Sequence, residues 1–272
     1  MKILILGAKG MLGTDLKKLF PDATAYDLPE LDITDKQAVD KAFSTLMPEA
    51  VINAAAYTDV DGAESNEQQA YAINADAVKN IAEAAKKINA IVVHYSTDYV
   101  FEGKDKEGYK EEDYKNPLNV YGNSKSQGED FLINETKQFY LIRTAWLFGK
   151  NGKNFVYTMM ELGKTKPELS VVNDQIGSPT YTVDLARVTK QLLDEKKPFG
   201  VYHATNSGSC SWHEFACEIM KQANLSPKVS PCTTDEFPRP AKRPSFSILK
   251  NTKLPKLRQW KQALKAFMEE IS

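Results

Sequence analysis

Residues Lys2-Ile3-Leu4-Ile5-Leu6 run straight into Gly7-Ala8-Lys9-Gly10-Met11-Leu12-Gly13, and this junction constrains the fold more than any other stretch of the 272-residue chain. Four apolar residues in a row read as a strand buried on both faces, as in a parallel sheet. The glycines follow without a spacer, and Leu12, Leu16 and Leu19 then recur at helical spacing. Strand, glycine turn and helix, in that order, let a backbone approach a pyrophosphate and aim helix N–H groups at it. Gly7 permits the tight turn, Gly10 the close approach to phosphate, and Gly13 the packing of helix on strand. Asp27, 20 residues after Gly7, is placed for a ribose hydroxyl. The expected ligand is a dinucleotide, NADH or NADPH. Asp27 repels a 2′-phosphate and Lys9 attracts one, so weak discrimination with NADH somewhat favoured is expected.

A second pattern lies mid-chain. Ser96-Thr97-Asp98-Tyr99-Val100-Phe101 is followed by Tyr121-Gly122-Asn123-Ser124-Lys125. A lysine four residues after a tyrosine shares its helix face, one turn on. Its ammonium favours the phenolate and should lower a phenol pKa that is otherwise about 10. The Thr97 hydroxyl can bond the same substrate oxygen that Tyr121 protonates. A Y-x-x-x-K pattern recurs by chance, and its weight here comes from the glycine turn on the same chain. Thr97, Tyr121 and Lys125 are therefore the candidate catalytic residues.

Strand-like segments at 2–6, 23–27, 50–53, 90–95 and 138–143 alternate with helical patterns at 12–20, 35–47, 67–88 and 121–135. This alternation predicts an α/β fold, a Rossmann-type doubly wound parallel sheet with helices on both faces. Thr34 or Asp35 caps the second helix and Pro48 closes it. Gly103 to Asn119 is polar and charged, and reads as a solvated surface loop bordering the cleft. The alternation fails after about residue 148, where glycine and proline clusters set in. The expected organisation is a dinucleotide-binding domain, 1–148, and a smaller C-terminal substrate lobe, 149–272, some of whose segments can return to the first domain. The last helix, Leu257 to Ile271, carries Trp260, Leu264, Phe267 and Met268 on a packing stripe.

Composition excludes other classes. A net charge of −1 gives no footprint for nucleic acid. No apolar run reaches the length of a membrane span. Lys2 and the short run after it mimic a signal peptide, but Gly7 ends the run and the glycine turn explains it better, so a cytoplasmic location is expected. Three cysteines, Cys210, Cys217 and Cys232, form no disulfide framework. Cys210, His213 and Cys217 cluster, yet Ser211 and Glu214 read as a capping box opening an amphipathic helix over 212–223. No metal site is expected, since a fourth ligand and regular spacing are missing.

The G-x-x-G-x-x-G spacing and the Y-x-x-x-K pair are similar to those of the extended short-chain dehydrogenase/reductase family. Within it the chain resembles the dTDP-4-dehydrorhamnose reductases along nearly its whole length. The resemblance rests on Val51 to Thr58 with Asp61, Ala63 and Glu64; on His94 to Phe101; on Pro117 to Lys125; on Asp174-Gln175-Ile176-Gly177-Ser178-Pro179-Thr180; and on Arg239-Pro240-Ala241-Lys242-Arg243-Pro244 with Ser247 and Leu249. The last two blocks and the S-T-D-Y-V-F run are the specific ones.

The resemblance implies that Tyr121 protonates the sugar carbonyl oxygen as nicotinamide delivers hydride to carbon. Lys125 then holds the nicotinamide ribose and tunes Tyr121, and Thr97 positions the carbonyl. Gly10, Met11 and Leu12 lie against the pyrophosphate, Asp32 and Ile33 flank the adenine, and Ala54, Ala55, Ala56, Tyr57 and Thr58 line the cofactor cleft. Asp98, Tyr99 and Trp146 contact a nucleotide sugar, dTDP-4-dehydrorhamnose. Arg239 and Arg243, set among prolines, address its diphosphate. Arg143 is expected to pair with a buried carboxylate, and His94 to be a satisfied core histidine. Some family members are dimers joined through acidic residues and magnesium; Asp15 stands where a longer carboxylate is expected, which leaves monomer or homodimer open. Other readings also stay open: a reductase giving the 6-deoxytalose epimer, an epimerase or dehydratase, or a non-catalytic regulatory subunit of this fold.

Overall fold

The computed structural model describes residues 1–272. β1 (Ile3–Leu6) leads through the glycine turn into α1 (Met11–Leu19), followed by β2 (Thr24–Tyr26), α2 (Lys36–Leu46) and β3 (Ala50–Asn53). Asp35 caps α2 by accepting from the Gln37 and Ala38 amides, and Met47, left-handed, ends it ahead of Pro48. Then come α3 (Val60–Ser65), α4 (Glu67–Tyr71), α5 (Ala77–Lys87), β4 (Ile91–Thr97), α6 (Val120–Glu135) and β5 (Phe139–Thr144).

The expected single helix over 67–88 is instead α4, a π-helical turn at Ala72–Asp76, and α5. The wider turn has a local cause. It brings the buried Asn74 side chain onto the Tyr57 backbone, accepting from the Tyr57 amide at 2.9 Å and donating to its carbonyl at 3.0 Å. The same amide donates to Ser124 Oγ on α6 at 3.1 Å. The Asn74 carbonyl rests on Gly128, where a Cβ would stand 2.0 Å away. Such bulges often sit beside functional sites, and this one buttresses α6.

The second half is built from short strands: β6 (Leu147–Phe148), α7 (Phe155–Thr165), β7 (Glu168–Val172), β8 (Ile176–Gly177), β9 (Thr180–Tyr181), α8 (Thr182–Asp194), β10 (Gly200–His203), β11 (Cys210–Ser211), α9 (Trp212–Gln222), β12 (Lys228–Cys232) and α10 (Trp260–Ile271). The main sheet has six strands in the order β10-β5-β4-β3-β1-β2, every pair parallel. Successive side chains of a strand face opposite sides, and β1 divides accordingly. Ile3 and Ile5 join one core with Leu16 of α1 and Leu185 and Leu192 of α8. Leu4 and Leu6 join the other with Phe43 of α2 and Ile81 of α5. Residues of the second half, α8 and β10, therefore complete the large sheet. The rest of that half surrounds a third, aromatic core of Phe148, Phe215, Trp260 and Phe267.

The connection from Gly103 to Asn119 departs from the solvated loop expected. Tyr109 stacks on Phe101, ring centroids 4.3 Å apart, and its hydroxyl accepts from the Lys104 and Asp105 amides. Glu111 is buried and accepts from the His203 and Thr252 amides and the Thr252 hydroxyl. The loop is anchored because its polar groups find partners on β10 and the C-terminal segment.

Candidate active site

The glycine turn is shaped by close approach. Gly7 has φ +74°, and a Cβ there would lie 2.5 Å from the Ala55 amide nitrogen. A Cβ on Gly13 would lie 2.1 Å from the Gly7 carbonyl oxygen. Gly10 begins α1 with no side-chain cap, so the first N–H groups of the helix have no capping acceptor and suit an anion. The Leu12 side chain is buried in the core, which leaves its amide as the part able to meet phosphate. Beside the turn opens a cleft of about 650 Å³ lined by Gly7, Gly10, Asp27, Asp32, Ile33, Ala54, Ala55 and Ala56. Met11 packs against Gly149, Tyr57 is held by Asn74, and Thr58 is exposed.

Asp27 lines this cleft and braces it, accepting from the Lys9 amide and the Leu28 amide, both at 2.8 Å. The Lys9 ammonium, expected to face a phosphate, is turned elsewhere. It donates to the Leu28 carbonyl at 2.6 Å and to Glu30 at 3.1 Å. Glu30 supplies the charge that a spacing argument from the glycines could not anticipate.

The second group assembles where β4 ends. Thr97 is the last residue of the strand; Asn119 caps α6 by accepting from the Gly122 amide at 2.7 Å. Tyr121 stands in the first turn of α6 and Lys125 one turn on. The Thr97 hydroxyl donates to Asp98 at 2.9 Å and accepts from the Tyr99 amide at 3.1 Å. Lys125 Nζ donates to the Tyr95 carbonyl at 2.7 Å. Burial holds the Lys125 amine down at about 8, against the opposing charge of Glu129. Burial pushes the Asp98 carboxyl up to about 6, and its Oδ2 has no hydrogen-bond partner.

One expectation is corrected here. The Tyr121 phenol was expected to be lowered by Lys125, and it is instead pushed up to about 12. Burial is the main cause; the charge of Asp98 acts in the same direction and the Thr97 hydroxyl opposes it. The Lys125 ammonium is directed at the Tyr95 carbonyl and makes no hydrogen bond to the phenol. The phenol is accordingly held in its acid form.

Arg143 pairs with a buried carboxylate, as expected. It donates bidentately to Glu129 at 2.9 and 2.8 Å and locks α6 to β5. Lys115 reaches the same carboxylate at 3.2 Å. Glu129 lies four residues beyond Lys125, so the helix period could have singled it out; the Tyr95 carbonyl and the Asn74 brace leave no such mark in the sequence.

Asp61 organises a further cluster, formed with the C-terminal segment. Its carboxylate accepts from Arg239 Nε at 2.8 Å, from the Ala241 amide at 3.1 Å and from Arg243. Partial burial alone would raise its pKa, but the Arg243 hydrogen bond, then the Ala241 amide and Arg239, hold it well below the usual carboxylate range. Arg243 also adjoins Tyr99, whose ring meets that of Tyr121 edge-on at 5.6 Å. Trp146, with φ +48°, stacks on Trp212 at 3.5 Å and lies over Gly177, where a Cβ would be 2.5 Å from the indole. Gln175 and Asp174 bond Thr234, so the D-Q-I-G-S-P-T block seats both the tryptophan and the C-terminal segment. Trp146 is thus a half-buried wall with one face already covered.

Asp15 is buried, bonded to Thr182 at 2.7 Å and Lys18 at 2.8 Å. No group of three or more His, Cys, Asp or Glu side chains is placed to hold a metal ion. His213 and Cys217 are 3.7 Å apart on α9, behind the Ser211–Glu214 capping box.

This arrangement has relatives. The family model described as the RmlD substrate binding domain matches residues 1–272. The spore coat polysaccharide biosynthesis protein SpsK of Bacillus subtilis is 40% identical, covering 100% of this chain and 98% of that protein. The dTDP-4-dehydrorhamnose reductase of Aggregatibacter actinomycetemcomitans is 41% identical, covering 97% of each chain. A crystal structure of the dTDP-4-dehydrorhamnose reductase of Bacillus anthracis in complex with NADP superposes with TM-score 0.96 at 42% identity, covering 99% of this chain and 100% of that one. With the family model matched over residues 1–272 and a 41% identical reductase covered over 97% of its length, the chain belongs to the dTDP-4-dehydrorhamnose reductase family of oxidoreductases.

Proposed function

We propose that the chain reduces the 4-keto group of dTDP-4-dehydro-L-rhamnose with NADH or NADPH to give dTDP-L-rhamnose, with Tyr121 as proton donor. The observation that carries the reading is Thr97 at the carboxyl end of β4, with Tyr121 and Lys125 one turn apart on α6 and the Lys125 amine held on the Tyr95 carbonyl of β4. Ligands of open α/β sheets bind at that edge. The residues present suit a dinucleotide: the N-terminus of α1 at the glycine turn has no side-chain cap and offers its N–H groups to a pyrophosphate, and the cleft of about 650 Å³ beside it has apolar walls at Ile33 and Ala54 for an adenine. Bound there, the reduced nicotinamide supplies the hydride.

The chain's own residues supply the rest. A phenol raised to about 12 is fully protonated at neutral pH, the state a reduction consumes. As hydride reaches the carbonyl carbon, negative charge grows on oxygen, and Tyr121 gives up its proton to it. Thr97, whose hydroxyl proton rests on Asp98 before the substrate binds, turns that proton to the oxygen, and Lys125 stabilises the phenolate left behind. Arg239 and Arg243 grip the diphosphate, with Trp146, Asp98 and Tyr99 around the sugar.

The test is oxidation of NADH or NADPH by the purified chain with a dTDP-4-keto-6-deoxy sugar, followed by NMR of the product. Loss of absorbance at the nicotinamide band with formation of the rhamnose epimer is expected. Formation of the 6-deoxytalose epimer replaces the product assignment, and no oxidation with any 4-keto nucleotide sugar overturns the reductase reading.

A further inference from the structure

A chain of hydrogen bonds whose direction is set by a backbone amide ends on the Lys125 amine. Asn53 closes β3, and its Oδ1 accepts from the Ala55 amide at 3.2 Å. A backbone amide only donates, so the arm of Asn53 facing the other way is its NH2 group. That group lies 3.2 Å from His94 Nδ1. Being a donor, it requires Nδ1 to accept. His94 is buried, and burial, with the charge of Lys125 added, holds its pKa well below the usual value, so the ring is neutral. A neutral imidazole carries one ring proton, and here that proton belongs on Nε2. Nε2 lies 3.4 Å from Lys125 Nζ.

An ammonium has three donors and no acceptor, whereas an uncharged amine has a lone pair. A presented N–H therefore opposes the charged form of Lys125 and suits the neutral one. We propose that His94, oriented by Asn53, is a positioning residue that controls the charge state of Lys125. The proposal rests on the reading above in which Lys125 serves the nicotinamide ribose and Tyr121.

The other groups facing this amine do not replace that role. On α6, Glu129 favours the ammonium, but it is shared with Arg143 and Lys115. Tyr121, one turn before, is held neutral. Asp98 lies beside Tyr121, and from β4 the Tyr95 carbonyl accepts from either form of the amine. The value of about 8 to which burial brings Lys125 leaves the amine close to its titration in the physiological range, where one donor or acceptor decides its charge. Ala55, which sets the direction, also lines the cofactor cleft, so the glycine-turn end and the catalytic lysine are wired together.

The experiment follows NADPH affinity by fluorescence from pH 6.5 to 10, together with 15N NMR of the histidine ring. In the wild-type chain the dissociation constant should rise as pH passes the Lys125 titration, and His94 should be the Nε2–H tautomer. His94→Phe keeps an aromatic ring and removes the N–H; the rise should move up by about one pH unit, a tenfold change in the proton equilibrium. Asn53→Asp keeps an acceptor for the Ala55 amide but demands a proton from Nδ1, so the ring should switch to the Nδ1–H tautomer. A His94→Phe rise at the wild-type pH, or an Nδ1–H tautomer in the wild-type chain, overturns the proposal. The tautomer measurement holds even if neither variant folds. Failure of the wild-type chain to bind NADPH at any pH sinks the functional reading instead.

Discussion

The two ends of the proposed active site are built by different means. At the cofactor end, backbone does the work. Gly7, Gly10 and Gly13 follow one another at three-residue spacing, and the close contacts that shape them come from Gly7 and Ala8 themselves or from Ala54 and Ala55 just after β3. At the sugar end, side chains do the work across long separations. Asp61 gathers Arg239 and Arg243 from 178 and 182 residues away, and Trp146 is held by Trp212 and Gly177. A backbone site depends on the absence of Cβ atoms and tolerates little change. A side-chain site depends on pairing and can be retuned one residue at a time. The lesson is that cofactor affinity and sugar affinity should be separable by mutation, with Tyr121 at the seam.

The largest effect is expected at that seam. Tyr121→Phe removes the proton donor and should lower turnover by about 10²–10⁴-fold while both dissociation constants stay near wild type. Paired turnover and NADPH fluorescence measurements check this. Near-normal turnover would remove Tyr121 from the chemistry.

Next in size is Gly13→Ala. A Cβ 2.1 Å from the Gly7 carbonyl oxygen must push the turn open. Overpacking of this kind costs about 1–3 kcal/mol, so a lower Tm and at least a several-fold loss of NADPH affinity are expected. Sugar affinity, measured without cofactor, should hold. If it falls in step, the two ends are not separable.

Arg243→Ala tests the other end. Charge-assisted hydrogen bonds contribute about 1.5–3 kcal/mol, so the nucleotide-sugar KM should rise roughly tenfold or more. NADPH binding should barely change, because the glycine turn serves its pyrophosphate. The reverse pattern in paired titrations would exchange the roles of the two ends.

The smallest effect sharpens the cofactor end. The Lys9–Glu30 pair is exposed, and such pairs are worth about 0–1 kcal/mol. Glu30→Ala releases Lys9 toward a 2′-phosphate and should raise the NADPH-to-NADH ratio of kcat/KM a few-fold at low salt. The change should fade as salt is added. A ratio unmoved at low salt means Lys9 does not reach the phosphate.

The sequence alone determined whatever is local. The apolar run at Ile3–Leu6, the glycine spacing and the Tyr121–Lys125 period each lie within a few residues, and each appears as read. So does the Ser211–Glu214 capping box, and of the two cap candidates before α2 the structure uses Asp35. What it could not determine has one cause: the partner is distant in sequence and set by packing. The π turn at Ala72–Asp76 exists because Asn74 reaches Tyr57 and Ser124. β10, Gly200-Val201-Tyr202-His203, carries no strand pattern of its own and is recognised only when it pairs with β5 at the edge of the sheet. Arg239 and Arg243 were legible as charges among prolines, but nothing near them named Asp61. The acidity of Tyr121 was misjudged for the same reason. Its i+4 neighbour is local, whereas the burial that outweighs that neighbour belongs to the folded whole. Covalent spacing fixes which residues can share a turn or a helix face; only the tertiary structure decides how dry a group is and which distant charge it meets.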